Sequence, residues 1–274
     1  ITIQAKDTFG NNITSGGLSV ALTENGNAVI SPVIDNGNGT YTATITNSVA
    51  ENIIISGTMN AAAITDTASI TFTVGAANVT TTTITASPTT LTADGSSIST
   101  ITVQTKDSQG NNLIIGGNTI LLSENGSANL SDVTDIGNGT YTATITNTVA
   151  ETITISGQLN ASAILDTAKI TFSPGVATTT QSLITATPLS LIADGISSAT
   201  ITLQTKDALG NNLNTGGSAI TFAETGSANI SAVTDNNDGT YSATITNTVA
   251  ESITVSGTLD GGNISDTAII TFNA

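Results

Sequence analysis

The stretch that decides the fold occupies residues 135–147 and has the sequence Asp-Ile-Gly-Asn-Gly-Thr-Tyr-Thr-Ala-Thr-Ile-Thr-Asn. It joins a turn rich in Asn and Gly to a segment in which apolar and polar residues alternate. Closely similar stretches occupy residues 35–47 and 235–247, so the copies are 100 residues apart. Self-similarity at a fixed long period indicates tandem structural units. The chain is therefore organised around three copies of one turn and strand.

Alternation within this stretch predicts a strand with one buried face. Tyr141, Ala143 and Ile145 share one side, and threonines occupy the other, so the apolar side is expected to face a core. Similar short segments, separated by Gly, Asn, Asp or Pro, fill the middle of the chain, and none has a helical period. The strands predicted there are residues 83–87, 91–95, 99–107, 119–123, 129–134, 140–147, 152–159 and 163–172. Such a series predicts an antiparallel β-sandwich.

The repeat predicts three domains, at residues 1–75, 76–175 and 176–274, which we call unit 1, unit 2 and unit 3. The joins are short and contain Gly or Pro, which indicates tight connections between the units. Unit 1 begins inside a strand pattern and has no counterpart of the strand predicted at residues 83–87. We therefore interpret unit 1 as truncated and the chain as a piece of a longer protein.

Composition excludes several classes of partner. The net charge is −16, only 9% of the residues are charged, and four lysines are the only basic side chains. A basic surface for phosphate groups is missing, so we expect no nucleic acid partner and no electrostatic docking on anionic lipid. No apolar run approaches the length of a membrane span, so we also expect no direct membrane insertion.

Enzyme activity is not expected. The chain has no His and no Cys, so the usual general bases and nucleophile pairs are missing. A pair of carboxylates could still serve a glycosidase. However, Glu51, Glu151 and Glu251 recur at the same position of every unit, which is typical of a structural role.

Three groups of residues carry the resemblance to a known family. They are Leu91 with Ala93-Asp94-Gly95, then Ile101 to Val103 with Asp107 and Gly110-Asn111, then Gly139-Thr140-Tyr141 with Ala143 and Ile145. Together they resemble the bacterial Ig-like domains (group 1) of the intimin and invasin adhesins. The resemblance implies an all-β fold class, with tandem Ig-like antiparallel β-sandwiches arranged end to end as an elongated rod. It also implies a bacterial cell-surface location, where such domains commonly serve as stalks.

The repeated turn has two interpretations. In the first, Tyr41, Tyr141 and Tyr241 are corner residues whose hydroxyls bond to backbone. In the second, the oxygen-rich turn binds calcium, and the extra carboxylate of unit 3 makes Asp235 and Asp238 the best candidate ligands. Calcium could also bind where units meet, between turn residues. The junction candidates are Asp94, Asp107, Asp194 and Asp207.

We expect a stalk or spacer segment that projects a binding tip from the cell, with neighbouring domains of the same chain as its main partners. A first alternative is a filament subunit in which an identical chain donates the strand that unit 1 lacks. A second is a glycan- or protein-binding module. Leu113, Ile114 and Ile115 form an unusually apolar loop in unit 2 and are its candidate contact patch.

Overall fold

The computed structural model describes residues 1–274, which form strands and loops only. Nine strands lie in unit 1: β1 Thr2–Gln4, β2 Val20–Glu24, β3 Val29–Ile30, β4 Ile34–Asp35, β5 Thr40–Thr42, β6 Ile45–Thr46, β7 Asn52–Met59, β8 Ala62–Ala63 and β9 Ala68–Thr71. Ten lie in unit 2: β10 Thr83–Ser87, β11 Thr90–Thr92, β12 Ser99–Gln104, β13 Ile120–Glu124, β14 Asn129–Leu130, β15 Thr134–Asp135, β16 Thr140–Thr146, β17 Thr152–Leu159, β18 Ser162–Ala163 and β19 Ala168–Ser173. Ten more lie in unit 3: β20 Thr178–Thr187, β21 Ser190–Ile192, β22 Ser198–Lys206, β23 Ile220–Glu224, β24 Asn229–Ile230, β25 Thr234–Asp235, β26 Thr240–Thr246, β27 Ser252–Leu259, β28 Gly262–Asn263 and β29 Ala268–Asn273.

Unit 2 is a sandwich of two five-stranded sheets. The first has the order β10-β12-β16-β14 with β15 also on β16, and the second has the order β11-β19-β17-β13 with β18 also on β17. All pairs are antiparallel except β11 with β19, where Leu91 lies opposite Phe172. The chain thus passes from one sheet to the other between β10 and β11. Unit 3 repeats this topology with β20 to β29, which confirms the predicted fold class.

The core lies between the two sheets, as the period of two predicts. Fifteen buried apolar residues form it in unit 2, and fourteen form it in unit 3. Tyr141 and Ile145 are 1% and 0% exposed, and each lies opposite a residue of β12. In β19 the core residues alternate with Lys169, which is exposed. Each of these units therefore has one closed core, although that core is built mainly from aliphatic side chains and contains few aromatic ones.

Unit 1 is more open. Its sheets are β1-β5-β4, the pair β3-β6, and β2-β7-β8 with β9 on β7. Only three buried residues form its core cluster, and Phe72 is half-buried, whereas Phe172 is 2% exposed. The residues given for unit 1 do not include counterparts of β10 and β11, and Ile70 and Phe72 are accordingly less buried here than Ile170 and Phe172 are in unit 2.

Several predicted strands are shorter or divided in the structure. The segment predicted at 99–107 ends as a strand at Gln104, because its last residues enter a loop closed by the Lys106–Asn112 bridge. The segment at 129–134 forms β14 and β15, which pair with different parts of β16. The segment at 163–172 is interrupted between β18 and β19. Loops therefore interrupt the apolar pattern more often than alternation predicts.

Tyr141 links the two sheets. Its ring is buried in the core, and its hydroxyl accepts a hydrogen bond of 2.9 Å from the backbone N–H of Asn118. Asn118 precedes β13, which belongs to the opposite sheet. Tyr41 and Tyr241 accept the N–H of Leu18 and Ser218 at 3.0 and 2.8 Å. The repeated tyrosine therefore fixes the loop before the next strand in every unit.

Gly139 lies where three segments of unit 2 converge. Its carbonyl oxygen accepts the N–H and the hydroxyl of Thr105, at 3.0 and 2.8 Å, and the side-chain amide of Gln104 at 3.2 Å. Its backbone has a φ of +82°, and a Cβ there would overlap the carbonyl oxygen of Leu113. Only glycine tolerates both this conformation and this approach.

We predict that Gly139→Ala destabilises unit 2 far more than Gly137→Ala does. Both residues have positive φ, which costs an alanine about 1–2 kcal/mol. A Cβ at Gly137 meets no atom within 4 Å, whereas one at Gly139 overlaps backbone. Hydrogen exchange of unit 2 amides, with units 1 and 3 as internal references, measures the difference. Equal destabilisation by the two variants would contradict the role given to the close approach.

We also predict that Tyr141→Phe lowers the free energy of unfolding of unit 2 by about 1–2 kcal/mol. The change removes only the hydroxyl and leaves the part-buried N–H of Asn118 without its acceptor, which costs more than the bond itself is worth. Denaturant unfolding, resolved by unit through hydrogen exchange, provides the measurement. An unchanged free energy would show that water replaces the hydroxyl.

Candidate functional site

The junctions between units are built around one short loop. In unit 2 this junction loop comprises residues 107–111. The carboxylate of Asp107 holds its shape by accepting hydrogen bonds from backbone N–H groups of the same loop. One carboxylate oxygen of Asp107 accepts the N–H groups of Gln109 and Asn111, both at 2.9 Å, and Gly110 has a φ of +88°. A side chain that bonds to backbone a few residues ahead is the usual means by which Asp shapes a tight turn. The loop is therefore preorganised by its own sequence.

Asn111 connects unit 2 to unit 1. Its side-chain oxygen accepts the N–H of Ala50 at 3.1 Å, and its amide group donates to the carbonyl of Ser48 at 2.9 Å. The second carboxylate oxygen of Asp107 accepts the N–H of Gly75, in the join between the units, at 2.9 Å. We call these three hydrogen bonds the clasp. It ties an end loop of unit 1, the join and the start of unit 2 to one another.

The second junction repeats the clasp. Asn211 accepts the N–H of Ala150 and donates to the carbonyl of Thr148, both at 2.9 Å. Asp207 accepts the N–H of Gly175 at 2.9 Å. The two junctions therefore have equivalent hydrogen bonds, which gives consecutive pairs of units the same contact.

The end loop that receives Asn111 is also preorganised. Asn47 accepts the N–H of Val49 at 2.9 Å, and its own amide donates to Glu51 at 2.8 Å. Glu51 also accepts the N–H of Asn27 at 2.8 Å, which ties the end loop to a neighbouring loop of unit 1. The recurring glutamates therefore shape the loop that the clasp binds.

Unit 1 shows the junction loop outside a junction. Asp7 accepts the N–H groups of Phe9 and Asn11 and the side-chain amide of Asn11, all at 2.9 Å. Both Asp7 and Asn11 are exposed, whereas Asp107 is 4% exposed. The same internal bonds form with and without a neighbouring unit, so the loop needs no partner to adopt its shape.

Hydrogen bonds keep the junction carboxylates ionised. The side chain of Asn111, followed by the N–H of Gly75, lowers the pKa of Asp107 from 3.8 to about 2, although burial acts in the opposite direction. For Asp207 burial is the largest single influence and raises the pKa, but the hydrogen bonds from Asn211, Gly175 and Leu209 together lower the pKa below its ordinary value. A lowered carboxyl pKa means that the folded junction favours the charged form.

Each junction also contains a shallow groove. The groove between units 1 and 2 has a volume of about 570 Å³ and is lined in part by Phe72, Val74 and Ile114. The groove between units 2 and 3 has a volume of about 550 Å³, and both Asp94 and Asp207 line it. Polar clasp residues therefore lie beside partly apolar surface at both junctions.

The candidate contact patch needs a correction. Leu113 is 6% exposed, so it does not contribute to an exposed patch. Ile114 and Ile115 are 73% and 66% exposed. Ile114 lines the groove between units 1 and 2, so the patch lies beside the first junction.

Both calcium candidates accept hydrogen bonds from N–H or O–H donors. Asp235 accepts the N–H groups of Gly217 and Asn237, both at 2.8 Å. Asp238 accepts the N–H and the hydroxyl of Thr240, and the hydroxyl is the larger cause of its lowered pKa. The structure contains no group of three or more acidic side chains arranged to hold a metal ion. Calcium binding by these residues stays a prediction.

Sequence reasoning missed the two junction asparagines. In the sequence, Asn111 is only part of a Gly-Asn motif that favours a turn, because Gly and Asn tolerate positive φ, and nothing in that motif predicts a contact with another unit. The available signal was the recurrence of Asp-x-x-Gly-Asn-Asn at residues 7–12, 107–112 and 207–212. That recurrence indicates a fixed role for the first Asn, but its side-chain amide also bonds the Asp of its own loop, so the repeat alone does not show that this Asn reaches a neighbouring unit.

No helix of the structure is long and apolar enough to span a membrane.

Comparison with known structures places this architecture among bacterial adhesins. The crystal structure of invasin, a bacterial integrin-binding protein, matches with a TM-score of 0.54 and 23% identity over 99% of this chain and 55% of that one. The Escherichia coli adhesin FdeC matches with a TM-score of 0.50 and 22% identity over 100% of this chain and 91% of that one. Yersinia pseudotuberculosis InvD matches with a TM-score of 0.52 and 27% identity over 71% of this chain and 58% of that one.

The chain thus spans little more than half the length of invasin, and the first two likenesses establish the fold alone. The family is shown by a separate comparison. The family model for invasin, domain 3, matches this chain three times, over residues 1–75, 78–175 and 178–274. Because those matches include nearly every residue and all three units, the chain belongs to the invasin domain 3 family.

Proposed function

We propose that this chain is a stiff spacer segment of a bacterial surface adhesin, exposed outside the cell, which carries another part of the protein away from the surface. The observation that supports the proposal is the clasp, which has the same hydrogen bonds at both junctions. A spacer needs each unit to hold a fixed direction relative to the next, and a repeated contact gives every junction one geometry. Enzyme chemistry plays no part in this proposal.

The clasp suits this task because both of its halves are formed before they meet. The junction loop keeps its internal bonds in unit 1 without a neighbour, and Asn47 and Glu51 shape the end loop from within its own unit. Little conformational entropy is therefore lost when the halves bind, which makes a few hydrogen bonds effective. The short join raises the effective concentration of one half around the other.

The surface composition is also consistent with a spacer. Threonine side chains cover the outward faces of strands such as β16 and β26, where they favour the strand and remain solvated. The net charge of −16 discourages association between neighbouring chains. A strand of about eight residues is roughly 26 Å long, so each unit adds a few nanometres of reach.

We predict that Asn111→Ala loosens the first junction without unfolding either unit. The change removes the two hydrogen bonds to unit 1, which together contribute about 1–2 kcal/mol, and also the bond from the Asn111 amide to Asp107 within the loop. The chain has no Cys, so spin labels attached at Ser69→Cys and Lys169→Cys report the distance between units 1 and 2. That distance distribution should broaden, while the thermal midpoints of the units stay within a few degrees.

Asn11→Ala is the matched control for this experiment. It removes the same bond between Asn and the loop carboxylate, but it lies away from the junction between units 1 and 2 that the two labels report. The distance distribution should therefore remain that of the parent chain. A distribution that stays narrow in Asn111→Ala would contradict the clasp as the source of stiffness.

We predict that acid opens the first junction in a defined pH range. Asp107 keeps the bonds within its own loop when the junction opens, so the bond from the N–H of Gly75 is what links its protonation to opening. After the side chain of Asn111, that N–H is the largest cause that lowers the pKa of Asp107 in the closed junction from 3.8 to about 2, so its contribution is present above about pH 4 and is lost as pH falls towards 2. The same labelled chain should show an unchanged distance distribution down to about pH 4 and a broader one below it.

Asp107→Asn tests whether this carboxylate is responsible. The variant cannot accept the N–H of Gly75 as a carboxylate does, so its distribution should be broad at every pH. If acid broadens the distribution of Asp107→Asn by as much as it broadens that of the parent, a different carboxylate controls the junction and the prediction is wrong.

A further inference from the structure

The chain contains five Asn-Gly pairs, in which an asparagine side chain can react with the backbone that follows it. Asparagine is a chemically labile residue, and glycine has no side chain to shield its own backbone nitrogen. Unit 3 has no such pair. The five pairs are residues 25–26, 36–37, 38–39, 125–126 and 138–139. Their local sequences are alike, so differences between them come from the fold.

Asn138 is held in an arrangement that favours this reaction. Its side-chain oxygen accepts the N–H of Thr140 at 3.1 Å and the hydroxyl of Thr140 at 2.5 Å. The bond to the N–H closes a ring across the intervening peptide group, so the side chain of Asn138 is folded towards the nitrogen of Gly139. Asn38 makes the same two bonds with Thr40, at 3.1 and 2.6 Å.

The surrounding hydrogen bonds favour attack by that nitrogen on the side-chain carbonyl carbon. The two donors of Thr140 polarise the carbonyl group and stabilise the negative oxygen that forms on attack. The N–H of Gly139 donates no hydrogen bond, so its proton leaves without the loss of an acceptor. Asn138 is exposed, and its side-chain NH2 group donates to no protein atom, so that group can leave as ammonia.

The pair at residues 125–126 lacks this combination. The N–H of Gly126 donates to the carboxylate of Glu124, and removal of its proton would place a second negative charge beside that carboxylate. The side-chain oxygen of Asn125 accepts the N–H of Thr154, in β17, at 2.7 Å, which holds the side chain against another strand. The pair at residues 25–26 has equivalent bonds.

The pair at residues 36–37 is protected in a different way. The N–H of Gly37 donates to the carboxylate of Asp35 at 2.9 Å, which again opposes loss of the proton. The side-chain NH2 group of Asn36 donates to the hydroxyl of Thr40 at 3.0 Å, so its departure would cost a hydrogen bond. Only the pairs at residues 38–39 and 138–139 combine a polarised carbonyl, a free N–H and a free leaving group.

We propose that Asn38 and Asn138 are sites of spontaneous deamidation, at which the folded chain modifies itself without an enzyme. Hydroxide takes the proton from the N–H of Gly139, and the nitrogen forms a bond to the side-chain carbonyl carbon of Asn138. The bond from that carbon to the side-chain nitrogen then breaks. This nitrogen takes a proton from water and leaves as ammonia, which regenerates hydroxide and leaves a succinimide ring. Water opens the ring at the side-chain carbonyl to give aspartate, or at the main-chain carbonyl to give isoaspartate.

The two products have different consequences for unit 2. Asp238 occupies the equivalent position of unit 3 and accepts the N–H and the hydroxyl of Thr240, at 2.9 and 2.5 Å, so aspartate fits this turn. Isoaspartate carries the main chain through its Cβ and is one atom longer. It would displace Gly139, which approaches the backbone of Leu113 closely and accepts the N–H of Thr105 at 3.0 Å. Isoaspartate should therefore loosen the corner from which the junction loop leaves.

The test incubates the whole chain at mildly alkaline pH, both folded and in concentrated urea. Tandem mass spectrometry of its proteolytic peptides follows each Asn-Gly pair through the mass difference between an NH2 and an OH group. In the folded chain Asn38 and Asn138 should react at least about tenfold faster than Asn25 and Asn125, because only their carbonyls have both donors and a free nucleophile. In urea all five pairs should react at similar rates, because the fold no longer distinguishes them.

Thr140→Val tests the contribution of the hydroxyl. The variant keeps the N–H and the branched shape of the side chain, so deamidation of Asn138 should slow about fivefold, the effect of one neutral hydrogen bond. Thr140→Ser keeps the hydroxyl and should retain the parent rate. Asn38 in the same chains is the matched reference, because its partner Thr40 is unchanged. An unchanged rate at Asn138 in Thr140→Val would contradict the role given to this donor.

Asn138→Asp separates the effects of the two products. It supplies aspartate directly, so hydrogen exchange at the amides of Thr105 and Leu113 should stay as slow as in the fresh parent chain. Exchange at these amides should be faster in parent molecules that have acquired isoaspartate at residue 138. If those molecules exchange as slowly as Asn138→Asp does, isoaspartate does not loosen the corner.

Two results would overturn the proposal as a whole. The first is deamidation of Asn25 and Asn125 in the folded chain at the rate of Asn38 and Asn138. The second is a folded chain that keeps all of its asparagines over a period in which the chain in urea loses them. Neither result bears on the clasp or on the proposed spacer function, because this inference does not depend on them.

Discussion

The close approach of three segments at Gly139 is the constraint on which the rest of each unit depends. Its carbonyl oxygen receives Gln104 and Thr105 at the end of β12, and its missing side chain leaves room for the backbone of Leu113. The junction loop lies between Thr105 and Leu113, whose backbones are themselves paired at 2.9 Å. The corner inside the sandwich therefore also fixes the loop that binds the neighbouring unit.

This connection explains how a chain with few charged residues joins its units through polar contacts. The clasp uses amide, carboxylate and backbone groups, each worth only about 1 kcal/mol in water. Both halves are rigid before they meet, so the usual entropic cost of ordering polar loops is largely avoided. The carboxylate of Asp107 stays charged because four N–H donors surround it.

Unit 1 provides an internal comparison with the other two units. Its turn, corner tyrosine and junction loop have the same hydrogen bonds as those of units 2 and 3, so these features depend on nearby sequence. Its core is different, because Phe72 and Ile70 are accessible without strands equivalent to β10 and β11. Turns and loops are thus local devices, whereas burial is a property of the completed sandwich.

The sequence by itself determined the repeat, the sandwich and the inward face of each strand, because turn residues and period-two alternation act over a few neighbouring residues. The burial of Tyr141 and Ile145 follows from that pattern. Only the tertiary structure decided that Asn111 reaches Ser48 and Ala50, more than 60 residues away in another unit. The same holds for Leu113, whose apolar neighbours suggested a surface patch although its own side chain is buried. Such contacts depend on how two folded units pack against each other. No pattern among neighbouring residues predicts a contact between residues that are more than 60 positions apart in the sequence.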